Sequence, residues 1–533
     1  MPILIRNIVL APGEGDDVLG TRVAERFGVP ERDIQSLHLV RKSIDARRKP
    51  RVIIVCTVQC RLLDEAGFLV RHGHDPDVKA VKEEPQPVFP RLAGGGRIVI
   101  VGMGPAGLFA ALRLAEYGLA PTILERGRPV EERTRDVQAF WSLGQLDTES
   151  NVQFGEGGAG TFSDGKLTTR VNDSRIGYVL QKFVDFGASP EILHLAKPHV
   201  GTDQLRRVVA GIRQGLLAAG CDIRFRSRVT DIVSREGRVG TVIVNGTDEI
   251  AADALVLAPG HSARDTYEML ARRGVHLQAK PFAMGVRVEH PQELINGIQY
   301  GKGHHPALPP ADYALAHNDR RTGRSAYSFC MCPGGVVVAG SSEEGGVVTN
   351  GMSAHLRNTP FANSALVVTV GPDDFGSSSP LAGVEFQRHW ERRAFEAGGG
   401  GYRAPAQNLL SFLGMKGGKG VSSSYRPRVT ETDLSRVLPA AVTGTLREAL
   451  PTFDRRMRGF VTAEATLTGV ETRTSAPVRI VRGEDCQSVS LQGLYPTGEG
   501  AGYAGGIMSA ALDGIRVADI IAGKMTAETR SAI

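Results

Sequence analysis

The sequence is poor in cysteine, in aromatic residues and in net charge of either sign. Its six cysteines (Cys56, Cys60, Cys221, Cys330, Cys332 and Cys486) are scattered through 533 residues without a CxxC pair. That spacing argues against a disulfide framework and a structural zinc site, so no metal ligands are expected. A net charge of +6, from 63 basic and 57 acidic residues, is too diffuse for a nucleic-acid-binding face. The one dense basic stretch, residues 41–51, reads as a solvated turn between two strands. The opening residues carry too short an apolar run for a signal peptide, and no apolar stretch approaches the ~20 residues of a membrane span. These absences predict a reduced, cytoplasmic protein without nucleic-acid or membrane partners. Glycine alone is in excess, with 65 of 533 residues against a usual share of roughly 7%. The glycines are not periodic. They gather in short loops, the pattern of backbone brought close to a ligand.

The length calls for more than one domain. Residues 1–82 read as a small N-terminal α/β domain of ferredoxin-like kind. Strand signals lie at 3–5, 8–10, 34–42 and 51–60, and an amphipathic helix over 17–27. A Pro-rich polar stretch opens a linker over 83–96. From Arg97 the pattern becomes strand, glycine turn, helix, strand. It predicts an α/β fold with a Rossmann-type domain over 97–262 and an inserted α+β substrate or cap domain over 263–486. The chain then returns to the first domain over 487–525 and ends in a tail at 526–533. A Gly/Ser-rich loop at 414–424 is a candidate lid.

Ile98-Val99-Ile100-Val101 is a continuous apolar run, as a central parallel strand requires. It leads into Gly102-Met103-Gly104-Pro105-Ala106-Gly107 and an Ala/Leu-rich helix. Gly102 permits the tight turn, Gly104 lets a pyrophosphate approach the backbone, and Gly107 lets helix and strand pack closely. The helix N-terminus at Pro105 and Ala106 then faces the phosphates. A second strand ends at Glu125-Arg126-Gly127, and an acidic residue at about this distance accepts hydrogen bonds from an adenosine ribose. Later come a strand containing Val229, another ending in a turn at Gly260, and a third running into Gly498-Glu499. A glycine-rich helix start at Gly505-Gly506-Ile507 follows.

This layout resembles the two-domain FAD enzymes of the glutathione-reductase and aromatic-hydroxylase superfamily. The resemblance implies that Glu499 binds the ribityl or pyrophosphate region. It places the amides near residues 504–507 at the flavin pyrimidine edge, where a helix N-terminus favours the negative charge of reduced flavin. The run Phe154-Gly155-Glu156-Gly157-Gly158-Ala159-Gly160-Thr161-Phe162-Ser163-Asp164-Gly165-Lys166-Leu167 is similar to the signature of a narrower family. That family is the little-characterised FAD-dependent dehydrogenases of bacteria and plastids. Segments 42–47, 281–291, 332–335, 350–353 and 471–479 agree with it, so the resemblance spans nearly the whole chain. It implies noncovalent FAD, with Gly157, Gly158, Gly160, Gly165 and Lys166 in a phosphate or flavin loop.

No second strand–GxGxxG–helix unit follows. A dedicated NAD(P)H domain is therefore not expected, although NAD(P)H stays a candidate electron donor. The redox CxxxxC of disulfide reductases is also absent, which disfavours disulfide reduction. Cys330 and Cys332 would share a face in an extended strand. They read there as structural or substrate-lining residues, not as a strain-free disulfide. Aromatic hydroxylases carry an Asp-Gly turn followed by Ser and Arg; this chain has Pro259-Gly260-His261-Ser262-Ala263-Arg264 at the matching place. The catalytic candidates are Arg287 and Glu289, which share strand parity, His290 beside them, and Arg473 as a clamp for a carboxylate or phosphate. The leading expectation is an FAD-dependent oxidoreductase of dehydrogenase or reductase type that moves hydride between flavin and a small organic substrate. The alternatives are an NAD(P)H-dependent flavin monooxygenase, and an FAD-bound binding or assembly protein. In the last case the N-terminal domain would dock a protein or electron carrier.

Overall fold

A computed structural model describes residues 1–82, 89–92 and 96–531. Most of the expected linker over 83–96 therefore lies outside the described residues. At the centre is a five-stranded parallel sheet. Its order is Leu494–Pro496, Ala254–Leu257, Ile98–Val101, Thr122–Leu124 and Asp222–Arg224. Both faces are covered, which explains the uninterrupted apolar runs. Ile98, Ile100, Ala254 and Val256 point to one side, into a core shared with helices Pro105–Glu116, Thr202–Ala218 and Ile507–Ser531. Val99, Val101, Leu255 and Leu257 point to the other. There they pack on an antiparallel meander of Val229–Arg235, Arg238–Val244 and Asp248–Ala251. The period of two thus divides one strand between two cores.

The cap is a seven-stranded sheet in the order Ala316–Asn318, Ser325–Cys332, Phe361–Val370, Phe282–Pro291, Thr466–Glu471, Ala404–Asn408 and Val429–Glu431. Its pairs are antiparallel except the last. Phe282–Pro291 is central and buried on both faces over residues 282–290. Met284, Val286 and Val288 pack with Leu446 and Phe453 of helix Ala440–Arg456. The edges of the expected insertion side with the first domain. Strand Leu277–Ala279 pairs with Val478–Ile480, and Tyr267, Leu270, Leu277 and Val478 belong to the meander core. The last helix runs to Ser531, so helix continues into the stretch expected as tail.

The N-terminal strands pair antiparallel in the order Ile34–Arg48, Arg51–Leu62, Ile3–Leu10, Val78–Ala80, with helices Leu19–Phe27 and Glu65–His72 packed on them. The two strand signals at 3–5 and 8–10 form one strand, interrupted by a register shift and by Asn7 at φ 55°. The hairpin over residues 34–62 is longer than its apolar pattern predicts, and it is stitched to the rest of the chain. Lys42 N–H donates to His194 O at 2.7 Å, and Ala196 N–H donates to Lys42 O at 2.9 Å. Lys49 Nζ donates to the carbonyl of Ile298. The basic turn is thus partly a docking seam and not only a solvated face.

The helix crossing that closes the central core can be tested directly. A Cβ at Gly514 would fall 2.1 Å from Ala106 O, whereas one at Gly523 on the same helix meets nothing within 4 Å. Gly514→Ala should lower stability by about 1–3 kcal/mol through overpacking. Gly523→Ala should be neutral or stabilising by up to about 1 kcal/mol. Thermal or denaturant unfolding of the two variants checks both signs.

Candidate functional site

The turn after Ile98–Val101 is built from contacts that exclude side chains. Gly102 has φ 95°, and a Cβ there would lie 2.2 Å from Ala258 O. On Gly107 it would lie 2.0 Å from Gly102 O. Helix Pro105–Glu116 is thereby pressed against its own turn and strand, and Gly514 lets the C-terminal helix close on it at Ala106. Its first turn has no side-chain cap, so the backbone N–H groups there are free to meet an anion. Gly505, Gly506 and Ile507, at the start of the last helix, face the same space.

That space is a cavity of about 390 Å³ at the C-terminal ends of the parallel strands. It lies where the strand order reverses beside Ile98–Val101, the usual ligand crevice of such sheets. Sixteen of the expected cofactor residues line it: Gly102, Gly104, Pro105, Ala106, Glu125, Arg126, Gly158, Gly160, Gly165, Lys166, Val229, Gly260, Glu499, Gly505, Gly506 and Ile507. Gly107, Gly157 and Gly498 stand behind the wall and shape it. Gly157 N–H donates to Met103 O at 2.8 Å. Gly498 N–H donates to Asp513 at 2.7 Å, and Asp513 is paired with Arg482. No residue of 1–82 lines the cavity.

Glu125 does more than the ribose expectation asks. Its carboxylate accepts from Met103 N–H at 2.8 Å and from Gly127 and Gly155 N–H at 2.9 Å each. One side chain thus ties the glycine turn, the second strand end and the 155–166 loop together. Arg133 fixes that loop from behind. It is fully buried and donates to the carbonyls of Asn151, Val152 and Glu156 at 2.8, 3.0 and 2.6 Å. The sequence carries no sign of this role, since one arginine in an amphipathic helix normally points to water.

The walls fit a dinucleotide. A Cβ at Gly104 would meet only Gly158 Cα, at 3.7 Å, and one at Gly260, Gly505 or Gly506 would meet nothing within 4 Å. At Gly104 and Gly505 glycine leaves room in the cavity and serves no packing need, while at Gly260 and Gly506 it also meets backbone φ values of 78° and 133°. The buried Oε1 of Gln153, also on the wall, has no hydrogen-bond partner among the described residues. Burial pushes the Glu499 carboxyl up to about 7, with Lys280 opposing.

The cap supplies the remaining wall through Phe329, Cys330, Asn350, Glu471, Arg473 and Thr474. Of the four catalytic candidates only Arg473 reaches the cavity. It is pinned by Glu391 at 3.2 and 3.0 Å, and the same carboxylate takes Arg264 at 2.7 and 3.0 Å. Against the effect of burial, the two guanidinium groups hold Glu391 well below the usual carboxylate range. Arg287 lies behind the wall. It binds Glu471 at 2.8 and 2.6 Å, Asn363 Oδ1 at 2.8 Å and Cys330 O at 3.2 Å. Glu289 shares the Arg287 face but stands about 7 Å further along the strand. There it accepts from Ser424 N–H and so anchors the end of the 414–424 loop. His290 is buried and its Nε2 bonds Phe460 O at 2.8 Å. Neither Glu289 nor His290 touches the cavity. Asp164, Asn350 and Glu471 carried no role in the sequence reading, although each falls within a motif that carried the family resemblance.

A parallel sheet with a glycine turn, a meander and a returning helix that opens on the same crevice is the Rossmann-type architecture of FAD enzymes. Family models agree along the chain. They are "Pyridine nucleotide-disulphide oxidoreductase" over 96–269, "FAD dependent oxidoreductase" over 195–364 and "FAD-dependent protein, C-terminal domain-like" over 281–474. Residues 2–61 match a domain of unknown function. An uncharacterized protein of Clostridium beijerinckii is 48% identical over 533 residues, covering 98% of this chain and 99% of that one. The chain therefore belongs to the FAD-dependent oxidoreductases, in the little-characterised family it shares with the Clostridium protein. Solved flavoenzymes superpose only in part. Glycine oxidase from Bacillus cereus matches at 12% identity over 81% of this chain and 96% of its own, with a TM-score of 0.30. A flavin-dependent brominase matches at 13% identity over 81% and 79%, with a TM-score of 0.36. Among the described residues no helix is long and apolar enough to cross a membrane.

Burial pushes the His290 imidazole down from 6.5 to about 4. The unfolded chain therefore binds a proton in this window that the folded chain does not, so this residue's contribution to stability falls as pH drops from 6.5 towards 4. His290→Gln keeps a donor for Phe460 O and cannot titrate. The variant should be less stable than wild type at neutral pH and close the gap as pH falls through that window. A Tm difference that stays constant with pH would contradict the assignment.

Proposed function

We propose that FAD lies noncovalently in this cavity and that the enzyme transfers hydride between the flavin and a small organic substrate admitted beneath the cap sheet. The observation that carries the reading is the meeting of two helix starts on one crevice whose glycines leave open space. On this reading the adenosine end lies near Glu125 and Arg126. The pyrophosphate lies at the Gly102–Gly104 turn and the start of helix Pro105–Glu116, and the flavin end lies towards Gly505, Gly506 and Ile507. Bound FAD supplies the hydride acceptor or donor. The chain supplies everything else. The C-terminal helix start and Lys166 favour negative charge on the flavin. Glu499, balanced near neutral pH, holds or releases a proton. Asn350 and Arg473 offer hydrogen bonds to a substrate from the cap side, and the Glu391 pairing keeps Arg473 in place.

The dehydrogenase or reductase reading is preferred to an NAD(P)H-dependent monooxygenase because of Arg264. This is the arginine that matches the hydroxylase turn, and it is buried against Glu391 and Glu343, so it is committed within the fold. Anaerobic mixing separates the two. Bleaching of the flavin by an organic hydride donor, or its reoxidation by an organic acceptor, supports the preferred reading. Oxygen incorporation into a product at the expense of NAD(P)H overturns it.

The cofactor placement has its own test. Because a Cβ at Gly104 meets no close neighbour, Gly104→Val should fold and yet exclude the pyrophosphate. The purified variant is expected to keep wild-type circular dichroism and to be colourless. A yellow, stoichiometrically loaded variant would overturn the placement.

A further inference from the structure

Cys330 and Cys332 do not follow the strand geometry their spacing predicts. The register between Ser325–Cys332 and Phe361–Val370 shifts between Phe329 and Cys332, and Cys330 has φ 46°. A left-handed conformation is strained for a residue with a Cβ, and such strain gathers at functional sites. The bulge brings Cys330 onto the cavity wall, with the Cys332 thiol beside it. Cys332 is fully buried behind it, with its Sγ 3.3 Å from Cys330 O. Two cations hold the segment. Lys166 Nζ donates to the Met331 carbonyl between the two cysteines and pairs with Asp164 at 2.9 Å. Arg287 donates to Cys330 O at 3.2 Å. Both sulfurs are free thiols.

We infer that Cys330 and Cys332 are a redox dithiol that exchanges an electron pair with the flavin, with Cys330 as the sulfur open to a small thiol or disulfide entering the cavity. This rests on the flavin occupying the cavity as proposed above. In the oxidative direction two S–H bonds break and one S–S bond forms. The electron pair and two protons released are what oxidised flavin takes up on full reduction. The opposite direction returns them from reduced flavin to the disulfide. In either direction the outside thiol or disulfide exchanges with the Cys330 sulfur.

The remaining cysteines behave differently. Cys56, Cys60, Cys221 and Cys486 are buried in hydrophobic cores, where burial pushes each thiol upwards. For Cys330 the direction is reversed. The hydrogen bond from Cys332 outweighs burial and, with the Lys166 and Arg287 cations, holds its thiol below the ordinary range while Cys332 is raised. One accessible, thiolate-prone sulfur beside one buried partner is the division of labour that thiol–disulfide exchange requires.

The test uses the full-length FAD-loaded protein. After oxidation with diamide and removal of the reagent, it is titrated anaerobically with dithionite while flavin absorbance is followed. Thiols are counted in denaturant before and after. The expected result is two electron pairs taken up per FAD, with two additional thiols appearing on reduction. Cys330→Ser and Cys332→Ser should each halve the uptake to one pair per FAD. Uptake of one pair by wild type, or thiols that appear only after the flavin is fully reduced and excess dithionite attacks the protein directly, would overturn the inference. The wild-type counts decide even if a variant fails to fold. A protein that binds FAD but takes one pair defeats only the dithiol. A Gly104→Val variant that retains flavin defeats the cofactor placement beneath it.

Discussion

Two helices can begin at one point only if their backbones touch, and that contact is the constraint on which the site depends. Gly107 lies against the turn before it, and Gly514 lies against Ala106 of the neighbouring helix. A side chain at Gly107 would push helix Pro105–Glu116 off its turn and strand, and one at Gly514 would push the C-terminal helix away from it. Their positive ends would no longer share a crevice. Held together, they aim two helix N-termini and two favourable dipoles into a space lined by open glycines. Glu125 and Arg133 extend the same principle to the loops, since each buries its charge by satisfying backbone groups.

The cap and the 155–166 loop present charge to the cavity, but charge that is already matched. Arg473 is paired with Glu391, Glu471 with Arg287, and Lys166 with Asp164. Buried pairs of this kind contribute little net stability, because desolvation offsets much of the attraction. They do place polar groups in fixed positions, and a flavin site needs that more than it needs mobile charge. Cys330 sits amid these pairs, with its backbone held by Arg287 and the adjacent Met331 carbonyl held by Lys166.

Legibility in the sequence followed the physics of each signal. The strand–glycine–helix run could be read because it is local: its periodicity, turn residues and helix start all lie within about 30 residues. The returning segment at 494–507 could be read for the same reason. The catalytic candidates fared differently. Parity on Phe282–Pro291 put Arg287 and Glu289 on one face, but a strand buried on both faces gives parity no outside to point to. Position along the strand separates them, and only the neighbouring strand and the Ser424 loop reveal it. The Cys330 bulge was hidden because a register shift is a property of two strands. The seam between Lys42 and His194 was hidden because its hydrogen bonds are made by backbone, which any residue could supply.

The most direct measurement is a crystal structure of the FAD-loaded protein. The pyrophosphate is expected on the amides following Gly104, and the flavin ring between the start of the C-terminal helix and the wall formed by Lys166 of the 155–166 loop and Cys330 of the cap. Flavin bound outside that crevice, or a crevice closed by protein side chains while FAD sits elsewhere, would contradict this placement.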